Sequence, residues 1–142
     1  MRPTGTICWY YWQPFCVTLL SHMNRTIKRL DPEKEFYFHE GCHIIEVSNS
    51  VDDPDASIAC ARVEPGVTTR WHRLVYTAER YVILEGKGRV EIGDHPATDV
   101  STGDVVLIPA MTRQRISNTG NSDLVFLAIC TPRFTEDVYE AL

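Results

Sequence analysis

The sequence has no paired-cysteine motif. Its five cysteines are an odd number, and none of them stands in a C-x-x-C spacing. This pattern argues against a disulfide framework and against a zinc site built from cysteines. Three of the thiols lie in or beside apolar runs and are expected to be small buried hydrophobes, namely Cys42, Cys60 and Cys130. We therefore expect a protein of a reducing compartment, the cytoplasm.

An excess of positive charge is also missing. The chain holds 14 lysines and arginines against 19 aspartates and glutamates, which gives a net charge of -5. Proteins that bind nucleic acid through its phosphates need a basic surface. We therefore expect no nucleic-acid partner.

No apolar run is long enough to span a membrane. The longest, residues 7–20, is interrupted by Gln13 and Pro14 and falls short of the roughly 20 residues that a spanning helix needs. It belongs to an atypical leader, residues 1–22, which holds five aromatic residues but only one charged residue, Arg2. We interpret the leader as a gene-model artefact, with Met23 as the true start, or as a packing arm. A single domain over residues 23–142 is then expected, with no membrane partner.

Short strands dominate the chain after residue 42. Val- and Ile-rich segments alternate with turn signals such as Glu64-Pro65-Gly66 and Thr102-Gly103-Asp104, which predicts an all-β sandwich or barrel. Two segments look helical, one near residues 31–36 and the other at residues 135–142. The predicted strands are 43–48, 57–64, 67–75, 79–85, 87–92, 97–101, 104–109, 113–118 and 123–131.

The segment from His39 to His43 matches the H-E-x-x-H pattern of zinc proteases. That pattern requires a helix to bring both histidines to one face. Here Gly41 interrupts the motif and a β-rich run follows it, so the segment is predicted to lead into a strand. We therefore do not assign a protease site to it.

Two further motifs carry a family resemblance. Gly66, His72, Glu79 and Gly86 follow the spacing of the first cupin motif, G-x5-H-x-H-x3–4-E-x6-G. The second cupin motif, G-x5-P-x-G-x2-H-x3-N, resembles the series Gly103, Pro109, Met111, Gln114 and Asn118. The resemblance implies a double-stranded β-helix, or jelly-roll barrel, with short flanking helical segments. The chain resembles short single-domain cupins of the mannose-6-phosphate-isomerase-like group.

The motifs depart from the family pattern at two metal-ligand positions. Cupins that bind metal use three histidines and one glutamate, and this sequence has Leu74 and Gln114 at two of the four positions. A reduced metal set of His72, Glu79 and Gln114 remains. Leucine cannot ligate, and a glutamine oxygen is a weak, uncharged ligand. A divalent metal ion is therefore one possible cofactor, with water in the open positions.

Strand alternation places the candidate residues together. In residues 67–75 it predicts that Thr68, Arg70, His72 and Leu74 share an inward face. Glu79 and Tyr81 share a face of the next strand, and Gln114 points inward from a third. Arg70, Tyr81 and Gln114 are thus expected to bind the ligand. The Arg70 fork suits a carboxylate or a phosphate, although an ion pair with a neighbouring acid is an equal alternative.

Several functions are compatible with this site. In the first, His72 acts as a base with Glu79 as its partner, in an isomerase, epimerase or cyclase reaction of a polar or anionic small molecule, metal-assisted or not. Alternatives are a non-catalytic ligand-binding or sensing module and a non-haem metal dioxygenase. In a purely structural alternative, His72 and Glu79 hydrogen-bond each other, with Gln114 as third partner. A homodimer is also expected.

Overall fold

The structure, a computed structural model, describes residues 25–142. The aromatic leader and the predicted boundary after residue 22 lie outside the described residues. Within residues 25–142, no helix combines the length and the apolar character that a membrane crossing requires.

Apart from two three-residue 3₁₀ helices, strands are the regular secondary structure of the described residues, as predicted. The first six are β1 (Phe36–Phe38), β2 (Cys42–Ser48), β3 (Ser57–Val63), β4 (His72–Leu74), β5 (Ala78–Glu85) and β6 (Lys87–Ile92). The remaining five are β7 (Thr98–Ser101), β8 (Val105–Ile108), β9 (Gln114–Asn118), β10 (Leu124–Thr131) and β11 (Tyr139–Ala141).

The strands form two antiparallel sheets that enclose one core. The larger sheet has the order β1-β2-β3-β10-β5-β8 and the smaller has the order β11-β4-β9-β6-β7. Alternate side chains of both sheets point inward, and four of them, Val63, Ile83, Ile116 and Leu124, are at most 1% exposed. Burial of such side chains is the main favourable term in folding. This is the jelly-roll barrel that the cupin motifs imply.

The two segments predicted to be helical differ from expectation. A 3₁₀ helix, Pro32–Lys34, is capped by the Asp31 side chain, but the chain then enters β1 instead of continuing as a helix. The tail forms a second 3₁₀ helix, Glu136–Val138, followed by β11. An isolated eight-residue helix has little stability of its own, whereas the edge of β4 offers the tail a ladder of backbone hydrogen bonds. The tail is therefore helical over residues 136–138 only, and the predicted continuation of the helix to residue 142 is instead a strand.

The strand predicted over residues 67–75 is also shorter than expected. An isolated bridge joins Thr68 to Ser117, and His72 pairs with Gln114. Three residues lie between Thr68 and His72, but only two lie between their partners Gln114 and Ser117, so the segment before β4 carries one extra residue. An extra residue of this kind reverses the inward and outward sides of a strand. Thr69 is consequently buried and Arg70 is exposed.

Candidate functional site

A cavity of about 80 Å³ lies between the two sheets. That space exceeds what a single water needs and suits several waters or part of a small ligand. Strands β2, β3, β5 and β10 of the larger sheet contribute to its wall, as do β4 and β11 of the smaller sheet. Its titratable lining includes Glu40, Glu46, His72 and Glu79, together with the thiol of Cys130 and the phenol of Tyr139.

His72 presents one ring nitrogen to this cavity. The side chain is 2% exposed, and its Nδ1 lies 3.0 Å from the carbonyl oxygen of Arg70. Because a carbonyl can only accept, Nδ1 must carry the proton that it donates. Burial lowers the pKa of His72, although the hydrogen bond to Arg70 opposes the shift. A neutral imidazole therefore keeps the lone pair on Nε2, the atom that a general base uses.

Glu40 stands opposite that lone pair. Its Oε2 lies 3.6 Å from His72 Nε2, and its side chain is only 13% exposed. The residue lies in the turn before β2, where Gly41 adopts φ +106. The Arg70 amide donates to the Glu40 carbonyl at 2.7 Å and fixes the turn against the segment before β4. Burial, and then the nearby charge of Glu79, raise the pKa of Glu40 well above its usual range, which favours the protonated acid.

Glu79, Gln114 and Tyr81 form a buried chain of hydrogen bonds beside this pair. Gln114 Nε2 donates to Glu79 Oε2 at 2.6 Å, and the Tyr81 hydroxyl donates to Gln114 Oε1 at 2.7 Å. All three side chains are at most 9% exposed. Burial raises the pKa of Glu79 to about 7, against the opposing hydrogen bonds from Gln114 and Cys130. Glu79 thus changes its charge near neutral pH.

The structure brings four of the five predicted site residues together, but only His72 and Glu79 line the cavity, whereas the predicted ligand-binding residues Tyr81 and Gln114 lie behind Glu79. The purely structural alternative does not describe their contacts, because His72 bonds to a backbone carbonyl and faces Glu40, while Glu79 bonds to Gln114. The side chain of Arg70 was predicted to point inward, but in the structure it is exposed. Its guanidinium group is on the exposed side because of the extra residue before β4. The backbone of Arg70, rather than its side chain, contacts His72 and Glu40.

The donor set does not fit a metal ion. Leu74 occupies one ligand position of the family and lines the cavity without a donor atom. The Gln114 amide is bonded on both sides, since its oxygen accepts from Tyr81 and its nitrogen donates to Glu79. Across residues 25–142, no cluster of three or more histidine, cysteine, aspartate and glutamate side chains is arranged to hold a metal. His72 with one carboxylate would leave most positions of a transition metal to water.

Tyr139 lines the cavity, a position that the sequence did not predict. It enters on β11, where it pairs with Leu74. Its ring stacks on His72 with centroids 5.2 Å apart and an interplanar angle of 19°. The segment was predicted to be helical, so the alternation that brings Tyr139 inward was not visible.

Glu40 was also missed, because it was set aside together with the protease motif. Residues 39–41 form a turn rather than a helix. A glutamate in a turn before a strand gives no local signal of burial. The backbone contact with Arg70 places it in the site, and that contact joins residues distant in sequence.

The arrangement pairs a base with an acid. A neutral His72 accepts a proton on Nε2, and a protonated Glu40 donates one from a neighbouring position. Both protonation states follow from burial, which disfavours charge on either group. Such a pair can remove a proton from one atom of a bound molecule and deliver one to another.

Comparisons with proteins of known structure support this fold. The chain is similar to the nucleoside dehydratase Pac13 of Streptomyces, with a TM-score of 0.67 and 18% identity over 82% of this chain and 92% of that one. It is similar to KdgF from a Halomonas species, with a TM-score of 0.67 and 17% identity over 77% and 96%. It also resembles an oxalate decarboxylase of Lactobacillus farciminis, with a TM-score of 0.66 and 21% identity over 77% and 33%. At these identities, the likeness shows the fold alone.

Sequence comparisons extend from the fold to the family. The uncharacterized protein MJ1618 of Methanocaldococcus jannaschii is 35% identical over 86 residues, which are 61% of this chain and 68% of that protein. The family model described as a cupin domain matches residues 60–130. That range holds both motifs of the sequence and the cavity residues His72, Leu74, Glu79, Ala128 and Cys130. The chain therefore belongs to the cupin domain family.

Proposed function

We propose that this cupin catalyses proton transfer within a neutral, polar small molecule, with His72 as general base and Glu40 as general acid. The observation that carries the proposal is the pairing of His72 Nε2 with the Glu40 carboxyl at 3.6 Å on the wall of a cavity. Isomerisation, epimerisation and dehydration belong to this class, and the dehydratase Pac13 is one fold neighbour. The proposal replaces the predicted partner of His72, Glu79, with Glu40.

The reaction begins with neutral groups. His72 Nε2 takes a proton from a carbon next to a carbonyl, and the electron pair of that bond moves toward the carbonyl oxygen. Glu40 donates its proton to that oxygen, which gives an enol. In an isomerisation or epimerisation, His72 and Glu40 then exchange roles to return a proton to carbon. In a dehydration, the Glu40 carboxylate takes back the enol proton, the carbonyl re-forms, and the carbon–carbon double bond electrons expel the hydroxyl of the next carbon. That hydroxyl takes the proton from the His72 imidazolium and leaves as water. General acid and base groups of this kind contribute about 10²- to 10⁴-fold each.

Glu79 tunes the acid in this scheme. Its charge raises the pKa of Glu40, and its own hydrogen bond from Gln114 fixes its position. A charged Glu79 therefore helps to keep Glu40 protonated. Gln114 and Tyr81 act through Glu79 and are positioning residues.

The charges on the cavity wall favour a neutral substrate over an anionic one. Three glutamates and a histidine line the cavity, whereas no lysine or arginine of the described chain does. A charged Glu79 would repel a phosphate or carboxylate, and the lining itself offers no cation that would offset the repulsion. This consideration narrows the polar or anionic ligand expected from the sequence to a neutral one.

The experiment is deuterium exchange from D₂O into neutral aldoses and ketoses, measured by mass spectrometry beside their phosphorylated counterparts. We expect exchange into neutral sugars and a loss of about 10²-fold or more in His72→Asn and in Glu40→Gln. Asparagine retains a nitrogen that donates to the Arg70 carbonyl but lacks the Nε2 base.

His43→Asn is the matched control, because His43 contacts Glu64 on the surface and does not line the cavity. Equal exchange in His72→Asn and in the unaltered protein would overturn the proposal. Sugar binding without exchange would support the non-catalytic binding module instead.

Three expectations from the sequence stay predictions. They are the mannose-6-phosphate-isomerase-like subgroup, the cytoplasmic location and the homodimer. Light scattering of the full chain measures the oligomeric state directly.

A further inference from the structure

A second cavity adjoins the first on the side of β1 and β11. Its volume is about 490 Å³. Phe36, Phe38 and Tyr139 line both cavities, while Tyr37, His39 and Glu136 line the second one only. We call this second cavity the outer groove. Because three side chains line both cavities, the outer groove lies directly beside the inner cavity.

Aromatic rings form most of the groove wall. Tyr139 packs edge-on against Phe38, with centroids 5.4 Å apart, and against His39, with centroids 5.0 Å apart. Phe36 is 45% exposed and Tyr37 is 64% exposed, which is unusual for large aromatic side chains. A planar ring would find surfaces here for stacked or edge-to-face contact.

The hydroxyl of Tyr139 gives an independent indication of a ligand. The oxygen is buried, and the described residues offer it no hydrogen-bond partner. Buried polar groups of proteins are almost always paired. The Tyr139 ring stacks on His72 and lines both cavities. Tyr139 therefore stands between the inner cavity, which would hold the reacting part of a ligand, and the outer groove, which would hold an attached ring.

We infer that the outer groove is a second subsite of the same site, which takes an uncharged, planar ring attached to the reacting part of the substrate. The inference rests on the proposed function for the inner cavity and names the substrate class. This class is a neutral molecule that joins a heteroaromatic ring to a hydroxyl-bearing part, as a nucleoside does. The groove has one acidic residue, Glu136, and no lysine or arginine in its described lining, so a phosphorylated relative should bind less well.

The test measures binding of uridine, adenosine, ribose and uridine 5′-monophosphate to the full chain by calorimetry. We expect at least one nucleoside to bind about tenfold tighter than ribose, since stacking on aromatic side chains has effects of this size. Uridine 5′-monophosphate should bind more weakly than uridine. Nucleosides that bind no better than ribose, or not at all, would overturn the inference.

Three variants locate the bound ring. Tyr37→Ala removes a ring that lines only the outer groove, and we expect it to weaken nucleoside binding about fivefold while ribose binding is unchanged. Tyr139→Phe removes only the unpaired hydroxyl and should weaken binding of both. Tyr76→Ala is the control, because Tyr76 is 82% exposed and lines neither cavity.

The outcomes separate the subsite from the catalytic proposal. Deuterium exchange into sugars that depends on His72, together with no effect of Tyr37→Ala on nucleoside binding, would reject the subsite and leave the proposed function standing. Nucleoside binding that depends on Tyr37, without exchange in any substrate, would do the opposite. A change of molecular mass in Tyr37→Ala would assign the groove to a subunit contact and reject the subsite.

Discussion

The backbone of Arg70 holds His72 and Glu40 in place together. Its amide donates to the Glu40 carbonyl at 2.7 Å, and its carbonyl accepts from His72 Nδ1 at 3.0 Å. One residue therefore fixes the turn that carries the acid and also selects the tautomer of the base. Neither contact uses the arginine side chain, so substitutions of Arg70 that preserve the backbone should preserve the pair.

The tautomer of His72 is the first prediction. We expect ¹⁵N chemical shifts to show a neutral ring protonated on Nδ1 at pH 7, because the Arg70 carbonyl accepts that proton. We also expect the pKa of His72 to lie below that of an ordinary histidine, since burial disfavours the charged ring. A ring protonated on Nε2, or a raised pKa, would contradict the role of a base.

The second prediction concerns stability and pH. The pKa of Glu79 rises from 4.5 in the unfolded chain to about 7 in the folded protein, because burial disfavours its charge. The folded state then binds more protons than the unfolded state between these values, so this group's stabilisation is complete below pH 4.5 and is lost as the pH rises through 7. The loss amounts to about 3 kcal/mol.

Urea unfolding of Glu79→Gln beside the unaltered protein measures this effect, to which Glu40 adds in the same direction, because loss of the Glu79 charge reduces the upward shift of the Glu40 pKa. Glutamine has the same shape and no charge, so its free energy of unfolding should fall less between pH 4.5 and 7. His72 contributes an opposite slope, because its lowered pKa destabilises the fold as the pH falls below 6.5. That contribution is common to both proteins and cancels in the difference. Parallel pH profiles would contradict a raised pKa of Glu79.

The third prediction tests the buried hydrogen-bond chain. Tyr81→Phe removes the hydroxyl that donates to Gln114 and leaves the Gln114 oxygen buried without that donor. We expect a loss of about 1–3 kcal/mol in the free energy of unfolding, the usual cost of an unsatisfied buried polar group. Tyr37→Phe is the matched control, since Tyr37 is 64% exposed and should change stability little. Equal values for the two variants would show that the Tyr81 hydroxyl is dispensable.

The fourth prediction concerns metal binding. Replacing both Leu74 and Gln114 with histidine restores the donor types of the cupin metal motif. We expect the Leu74→His, Gln114→His double variant to retain a divalent transition metal through dialysis, because imidazoles are suitable ligands for such ions. Elemental analysis measures the content, with Leu74→Asn, Gln114→Asn as control. A full equivalent of tightly held metal in the unaltered protein would contradict the interpretation of its donor set.

The fifth prediction concerns a turn of the second cupin motif. Met111 stands where the family motif has glycine, and its φ of 66 lies in the left-handed region that disfavours side chains. The side chain is 44% exposed and so loses little packing when it is removed. We expect Met111→Gly to raise the free energy of unfolding by about 1 kcal/mol. Thr112→Gly, at a neighbour outside the left-handed region, should lower it instead.

Much of the site was predictable because its residues lie on regular strands. Glu79 and Tyr81 alternate on β5, and Gln114 begins β9, so a period of two residues is sufficient to place them inward. His72 was placed correctly as well, although for an incomplete reason. The predicted alternation ran from Thr68 through Arg70 to His72, and it fails because this segment carries one extra residue relative to β9. The extra residue changes no local propensity, so only the pairing with β9 reveals it.

The sequence by itself determined an all-β sandwich or barrel, and short-range periodicity placed Glu79 and Tyr81 on one strand face. Its resemblance to the cupin motifs added the jelly-roll class and the loss of two metal ligands. Only the tertiary structure decided the partner of the base. Glu40 and Tyr139 reach His72 from a turn and from a terminal strand, each held by backbone hydrogen bonds to segments distant in sequence. The protonation of the pair is likewise a tertiary property, because it follows from the exclusion of water by both sheets together.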